Sequence, residues 1–166
     1  SKVFEVSSNV GSALSVKKTF EEKPQAFLDG LKALGVAEKT GIRYVGEADP
    51  KVKTSVSDAG WTGLSLTQMA IGYEVTQTPL QTLALYNAVA NNGRMMRPQL
   101  VQELRSAGKS VRTYQPFVLN PRVCSQSTLV ACKKMMEAVC DPEGEGTAQR
   151  LFADKPYTVA GKTGTA

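Results

Sequence analysis

Thr78-Pro79-Leu80-Gln81 restricts the fold of this chain more than any other short stretch. Threonine can cap a helix with its hydroxyl. Proline suits the first helical position, where its missing N–H would be unbonded anyway. Glutamine three residues after the cap can close a capping box. Leu83, Ala84, Tyr86, Ala88 and Val89 follow, and Asn92-Gly93 supplies a stop. A helix with a defined start and end is predicted there. Its apolar character on most sides predicts that it is well buried.

The other elements follow from similar punctuation. Lys23 to Gly35 predicts a helix with Pro24 in its first turn and Phe27, Leu28, Leu31 and Leu34 as its apolar stripe. From Val36 to Gly63 the pattern breaks into a loop-rich excursion, with a short strand expected at Ile42–Val45. Pro98–Glu103 reads as a strand, Gly108 as a turn and Val111–Tyr114 as the returning strand of a hairpin. A further helix runs from about Ser125 to Val139, with Leu129, Cys132, Met136 and Val139 at core spacing. Thr147 is expected to cap one short helical turn after the loop Asp141–Gly146, and Tyr157–Val159 to begin a strand.

The chain has 166 residues, 42% hydrophobic and 21% charged, which suits one globular domain with a real core. No apolar stretch approaches the length of a membrane-spanning helix, and no signal peptide is present. Any anchor or export signal of a parent protein is expected to lie outside this piece. The net charge is +5, but the basic residues are spread along the sequence without interleaved aromatics. They read as a solvated basic surface rather than a nucleic-acid interface, and attraction to an anionic cell envelope also fits.

Histidine is absent. That excludes a Ser-His-Asp triad, Cys-His catalysis and a His-ligated metal within this chain. Acid–base chemistry would fall to Lys, Asp, Glu, Tyr or a hydroxyl network. Cys124, Cys132 and Cys140 are eight apart, about 80° per step on a helix, so they do not converge on a metal. They read as small buried hydrophobes.

The last ten residues, YTVAGKTGTA, admit two chemistries. A phosphate loop needs G-x-x-x-x-G-K-[ST] followed by a helix, but Pro156 stands where the first glycine belongs. A Ser/Lys acyl-transfer site needs S-x-x-K, then S-x-N, then K-T-G on a strand. Lys162-Thr163-Gly164 is a K-T-G, and Ser7-Ser8-Asn9 is an S-x-N upstream of it. Taken singly, Ser7 reads as a cap for a helix starting near Val10, and K-T-G reads as a turn. Their order and the missing histidines favour acyl transfer.

The stretches SSNVG (Ser7–Gly11), IGYEVTQTPLQ (Ile71–Gln81), NNG with RP after it (Asn91–Gly93, Arg97-Pro98), EGEGTA (Glu143–Ala148) and GKTGTA together resemble class B penicillin-binding proteins. The likeness runs from the S-x-N to the K-T-G and is greatest to the septal or elongation transpeptidases. It implies an α+β fold, an antiparallel sheet flanked by helices, of which residues 1–166 would be part, incomplete at both ends. It implies peptidoglycan D,D-transpeptidation through a serine ester, with no cofactor and no metal. Ser7 would be the hydroxyl that bridges toward Lys162, and Lys162 would supply positive field. Asn9 would bond the substrate backbone or position the catalytic lysine. Thr163 and Thr165 would hold the carboxylate of the substrate or of a β-lactam, and Gly164 would let that substrate lie close. The Thr165 N–H would form half of an oxyanion hole, and the substrate would add as an extra strand on this edge.

The family's nucleophile precedes the S-x-N, and no S-x-x-K stands there. Ser15-Val-Lys-Lys18 and Ser106-Ala-Gly-Lys109 match the pattern in the wrong order. The chain is therefore expected to be a fragment that by itself neither cross-links peptidoglycan nor reacts covalently with penicillin. Its expected partners are D-Ala-D-Ala stem peptides, β-lactams and cell-division or elongation proteins, not nucleic acid. An incomplete sheet would leave an exposed edge and apolar surface, which predicts self-association. The parent would work on the periplasmic, extracytoplasmic side of a bacterial inner membrane. A serine β-lactamase shares the motif set, but the TPLQ stretch argues against it. A non-catalytic sensor or scaffold module differs from an enzyme by lacking S-x-x-K upstream.

Overall fold

The computed structural model describes residues 2–164. A single helical turn, α1 (Lys2–Glu5), reverses into α2 (Asn9–Phe20). Two caps build the reversal. The Ser8 N–H bonds Val3 O at 2.9 Å and the Ser7 N–H bonds Phe4 O at 3.2 Å. This Schellman pairing closes α1 and leaves Ser7 in the left-handed position that glycine usually occupies, at φ +53°. The Ser8 hydroxyl then accepts the Gly11 N–H at 3.1 Å and caps α2. At Gly11 the two helices meet so closely that a Cβ would lie 2.7 Å from a Val3 methyl.

Helix α3 (Pro24–Ala33) forms within the predicted limits, with Pro24 in its first turn and Gly35 at φ +76° closing it. Leu28 is buried, and the Phe27 ring meets Phe20 with centroids 5.5 Å apart. The strand expected at Ile42–Val45 does not form. Tyr44 and Val45 are 71% and 94% exposed, and a strand requires a hydrogen-bonded neighbour that this segment lacks among the described residues. The loop is organised instead by the Glu47 carboxylate, which accepts the Thr40 N–H, the Thr40 hydroxyl and the Gly41 N–H.

The strand in this region is β1 (Lys51–Val52), which pairs antiparallel with β2 (Val75–Thr76). Between them α4 (Ser65–Met69) buries Ser65, Leu66 and Met69 and packs against α2. Lys53 ties the region together. It pairs with Glu74 and donates to Gly60 O at 2.8 Å and Ser65 Oγ at 3.4 Å.

Helix α5 (Pro79–Ala90) carries the predicted capping box. The Gln81 N–H bonds Thr78 Oγ1 at 3.2 Å, and the Thr78 N–H bonds Gln81 Oε1 at 2.7 Å. Asn92 at φ +53° and the Gly93 N–H on Ala88 O at 2.7 Å end it. The predicted deep burial is not observed. Ala84 and Ala88 are buried, but Leu83 is 53% exposed because the described elements cover one side of the helix only.

Beyond α5 the chain runs out and back as a ribbon. β3 (Met95–Met96) pairs with β6 (Val118–Asn120), and β4 (Glu103–Ser106) forms a hairpin with β5 (Lys109–Thr113). Ala107 and Gly108 both have positive φ, the geometry of a tight hairpin turn. The outgoing strand lies beyond the predicted Pro98–Glu103 because the turn sets the register and pairing spreads outward from it. Pro98 also has no N–H to give to a ladder. The Tyr114 N–H on Gln102 O and the Arg97 N–H on Phe117 O, both 2.9 Å, hold the ribbon between its paired parts.

Helix α6 (Gln126–Cys140) is capped by Ser125 and lies between α1, α5 and α7 (Gln149–Phe152). Ala88, Met95 and Val123 form one core cluster, and Val139, Cys140 and Ala148 form a second with Phe4, Phe152 and Val159 around it. Thr147 does not cap α7. Ala148 holds that position without a side-chain bond, and the Thr147 hydroxyl points elsewhere. Residues 157–164 form no strand, because no ladder partner lies beside them among the described residues. The Gly161 N–H bonds Met136 O at 3.1 Å and fixes this segment against α6. Helices and strands are mixed, as α+β predicts, and among the described residues the strands pair as three two-stranded antiparallel ribbons.

Candidate active site

Ser7 and Lys162 are 155 residues apart in sequence and adjacent in space. The turn between α1 and α2 presents the Ser7 hydroxyl, and the segment on α6 presents Lys162. The Lys162 ammonium donates to Ser7 Oγ and to Thr163 O, the latter at 2.9 Å, and its Nζ lies 5.6 Å from the centre of the Phe4 ring. Lys162 makes no ion pair among the described residues, so its charge is directed at hydroxyls rather than neutralised by a carboxylate.

Thr163 Oγ1 shares hydrogen bonds with Ser7 Oγ at 3.3 Å and with Thr147 Oγ1 at 2.7 Å. An ammonium and three hydroxyls therefore form one connected chain. Such a chain can pass a proton and can turn O–H donors toward an anion. Ser7 holds its left-handed φ at a cost of roughly 1–3 kcal/mol. The surrounding caps oppose that cost and hold the hydroxyl on Lys162.

Thr147 was not anticipated as a site residue. The glycine-rich loop that carries it is seated by Gly146, where a Cβ would lie 2.3 Å from Val139 O at the end of α6. The Ala148 N–H bonds Val139 O at 3.0 Å, and the Thr147 N–H bonds Glu5 O at 3.3 Å. At the rim Lys2 pairs with Glu5 and Glu145. The bond from Lys2 holds the Glu145 carboxyl below its ordinary range, and Glu145 in turn raises Lys2. The GEG spacing was the available sequence signal, since a glycine pressed on a helix end fixes the next side chain.

The other predicted residues are placed less tightly. Asn9 opens α2 with its side chain exposed and no side-chain hydrogen bond among the described residues. Gly164 is exposed with open space where a Cβ would stand, so the backbone is accessible there, although it belongs to no strand. Thr165 lies outside the described residues. Ser15 donates to Gly11 O at 2.7 Å inside α2, and Ser106 ends β4 beside the hairpin turn. Neither hydroxyl is hydrogen-bonded to a lysine among the described residues, although Ser106 pairs across the turn with Lys109. The three cysteines are free thiols, and burial is the main cause raising Cys132 and Cys140. No three Cys, Asp or Glu groups gather as a metal set among the described residues.

The penicillin binding protein transpeptidase domain matches residues 1–166. The chain belongs to this family. Penicillin-binding protein PbpB of Mycobacterium tuberculosis is 32% identical over 167 residues, covering 99% of this chain and 24% of that protein. Peptidoglycan D,D-transpeptidase MrdA of Haemophilus influenzae is 33% identical over 93 residues, covering 55% of this chain and 14% of that protein. The crystal structure of penicillin-binding protein 3 from Mycobacterium tuberculosis, complexed with aztreonam, superimposes with a TM-score of 0.67 at 27% identity. That match covers 82% of this chain and 29% of the solved one. The chain thus spans about a quarter of the length of PbpB. In the sequence Ser7 opens the S-x-N and Lys162 opens the K-T-G.

Proposed function

We propose that these residues form the proton-handling and carboxylate-binding walls of a D,D-transpeptidase that cross-links peptidoglycan stem peptides and is acylated by β-lactams. The observation that carries this reading is the Lys162–Ser7–Thr163–Thr147 chain. In the proposed reaction a serine oxygen supplied by another part of the protein attacks the D-Ala–D-Ala carbonyl. Its proton passes by way of the Ser7 hydroxyl, and the leaving D-alanine amine takes one up as the C–N bond breaks. The amine of a second stem peptide then attacks the ester and restores the serine. The Lys162 ammonium stabilises negative charge as it develops at Ser7. Thr163, together with Thr165, binds the substrate carboxylate, and the Thr165 N–H contributes to the oxyanion hole. Asn9 and Gly164 border the bound peptide. The names of MrdA and of the aztreonam-bound relative support this substrate and inhibitor class. Such an enzyme would act outside the cytoplasm, with cell-division or elongation proteins as partners.

Fluorescent penicillin followed by denaturing electrophoresis tests the reading. The 166-residue chain alone should remain unlabelled. The parent protein should be labelled, and Lys162→Ala should slow its labelling by about 10²–10⁴-fold, the range of general acid–base catalysis. A stoichiometric band on the chain alone, lost on substituting Ser15 or Ser106, would overturn it. So would full-rate labelling of the Lys162→Ala parent.

A further inference from the structure

The chain's charge is concentrated in the fold although it looks dispersed in the sequence. Residues 94–122, the β3–β6 ribbon, carry six basic residues and one acid, Glu103. That equals the net +5 of the whole chain, so the remaining fourteen basic and fourteen acidic residues balance. Glu103 is itself paired with Arg105 at 2.6 Å. Arg43 leans on the ribbon from the preceding loop, with its guanidinium 5.8 Å from the centre of the Tyr114 ring. Six of the chain's seven arginines therefore lie on this ribbon or against it.

Three of them converge. Arg43, Arg97 and Arg112 line one groove of about 440 Å³ that contains no Asp or Glu. Arg97 lies 4.5 Å over the Phe117 ring, and Arg112 lies 4.8 Å over Tyr114. None of the three makes an ion pair among the described residues. Stacking orients a guanidinium while leaving its N–H fork free, the arrangement suited to bidentate carboxylate recognition. Leu100 and Val101, 71% and 46% exposed, stand in the same groove.

We propose that this groove is a docking site for an acidic, partly apolar peptide segment of a partner protein. The carboxylates of the segment would take the free guanidinium forks, and its apolar side chains would cover Leu100 and Val101. Charge complementarity selects the acid. The concave shape and the exposed Leu100 and Val101 within it favour a peptide over a lipid headgroup plane or a phosphate polymer, which would meet a flat cationic face.

Fluorescence anisotropy on the full chain tests this, with a short fluorescein-labelled peptide alternating glutamate with leucine. Saturable binding is expected, weakening as salt rises and failing for a peptide with serine in place of glutamate. R97Q/R112Q should bind about tenfold more weakly, whereas K17Q/K18Q in α2, which removes equal charge elsewhere, should bind unchanged. Circular dichroism checks that both variants keep their helices, and R112K should bind more weakly at unchanged charge. Absence of binding would overturn the proposal, as would equal weakening by the two double variants. Binding to phosphatidylglycerol vesicles that the acidic peptide cannot displace would also overturn it, in favour of a membrane surface.

Discussion

Ser7 holds a backbone conformation that glycine adopts with less strain. A residue kept there against that preference is doing something its side chain alone can do. Ser7→Gly should therefore raise stability, by about 1 kcal/mol, while removing the hydroxyl that Lys162 reaches. Ser7→Ala loses the same hydroxyl, keeps the strain and should not be stabilised. Urea unfolding of the two variants separates strain from chemistry, and equal stabilities would refute the strain. Thr147 acts through its neighbour, since its hydroxyl is bonded to Thr163 and its backbone to α1. Thr147→Val keeps the shape and loses one hydrogen bond worth about 0.5–1.5 kcal/mol. β-Lactam acylation of the parent should slow by roughly two- to tenfold on that scale, with rescue by Thr147→Ser.

At the scale of elements, α3, α5, α6 and the hairpin turning at Gly108 were legible, whereas α1, α4 and two of the expected strands were not. The limits of α3, α5 and α6 followed from signals that act within a few residues of the helix ends, Pro24 and Gly35 for α3 and the Thr78 and Ser125 caps for α5 and α6. The strands at Ile42–Val45 and Tyr157–Val159 failed because strand identity belongs to a pair of segments. The loop between β1 and α4 shows what replaces a ladder. Lys53 ties Glu74, Gly60 O and Ser65 together, and its bond holds the Glu74 carboxyl below the ordinary range. The Asp58 carboxylate is lowered chiefly by the N–H groups of Thr54 and Ser55. Folded-state values below the unfolded ones make both groups stabilise the fold above the ordinary carboxylate pKa. That contribution is lost as pH falls through the lowered folded values. Protection of the amides of residues 54–65, taken relative to intrinsic exchange at each pH, should fall below about pH 4. In Glu74→Gln that acidic loss of protection should be smaller, with protection already lower at neutral pH.

At the scale of the molecule, large apolar side chains remain uncovered. Leu14 and Leu64 are 60% and 66% exposed, and the outer side of α5 is open at Leu83. Surface of that kind associates in water. Sedimentation velocity of the chain should show a weight-average coefficient that rises with concentration, and Leu83→Gln with Leu14→Gln should reduce the rise. A concentration-independent monomer would refute this. Net charge gave a contrasting lesson. Read along the sequence, the cations were scattered. Folding back the segment between Met95 and Asn120 and laying Arg43 on it gathered them on one ribbon.

The sequence by itself determined the helix limits, the exclusion of histidine chemistry and the family, because these depend on nearest neighbours and on short ordered motifs. Tertiary structure decided which serine of Ser7-Ser8 caps a helix and which faces Lys162. It made Thr147 a partner of Thr163 rather than a cap, and it turned dispersed arginines into one groove. Each of these depends on contacts between segments far apart in the chain. Such contacts are set by the closure of α1 onto α2, by Gly146 against α6 and by the ribbon's turn, and none leaves a local periodicity to be read.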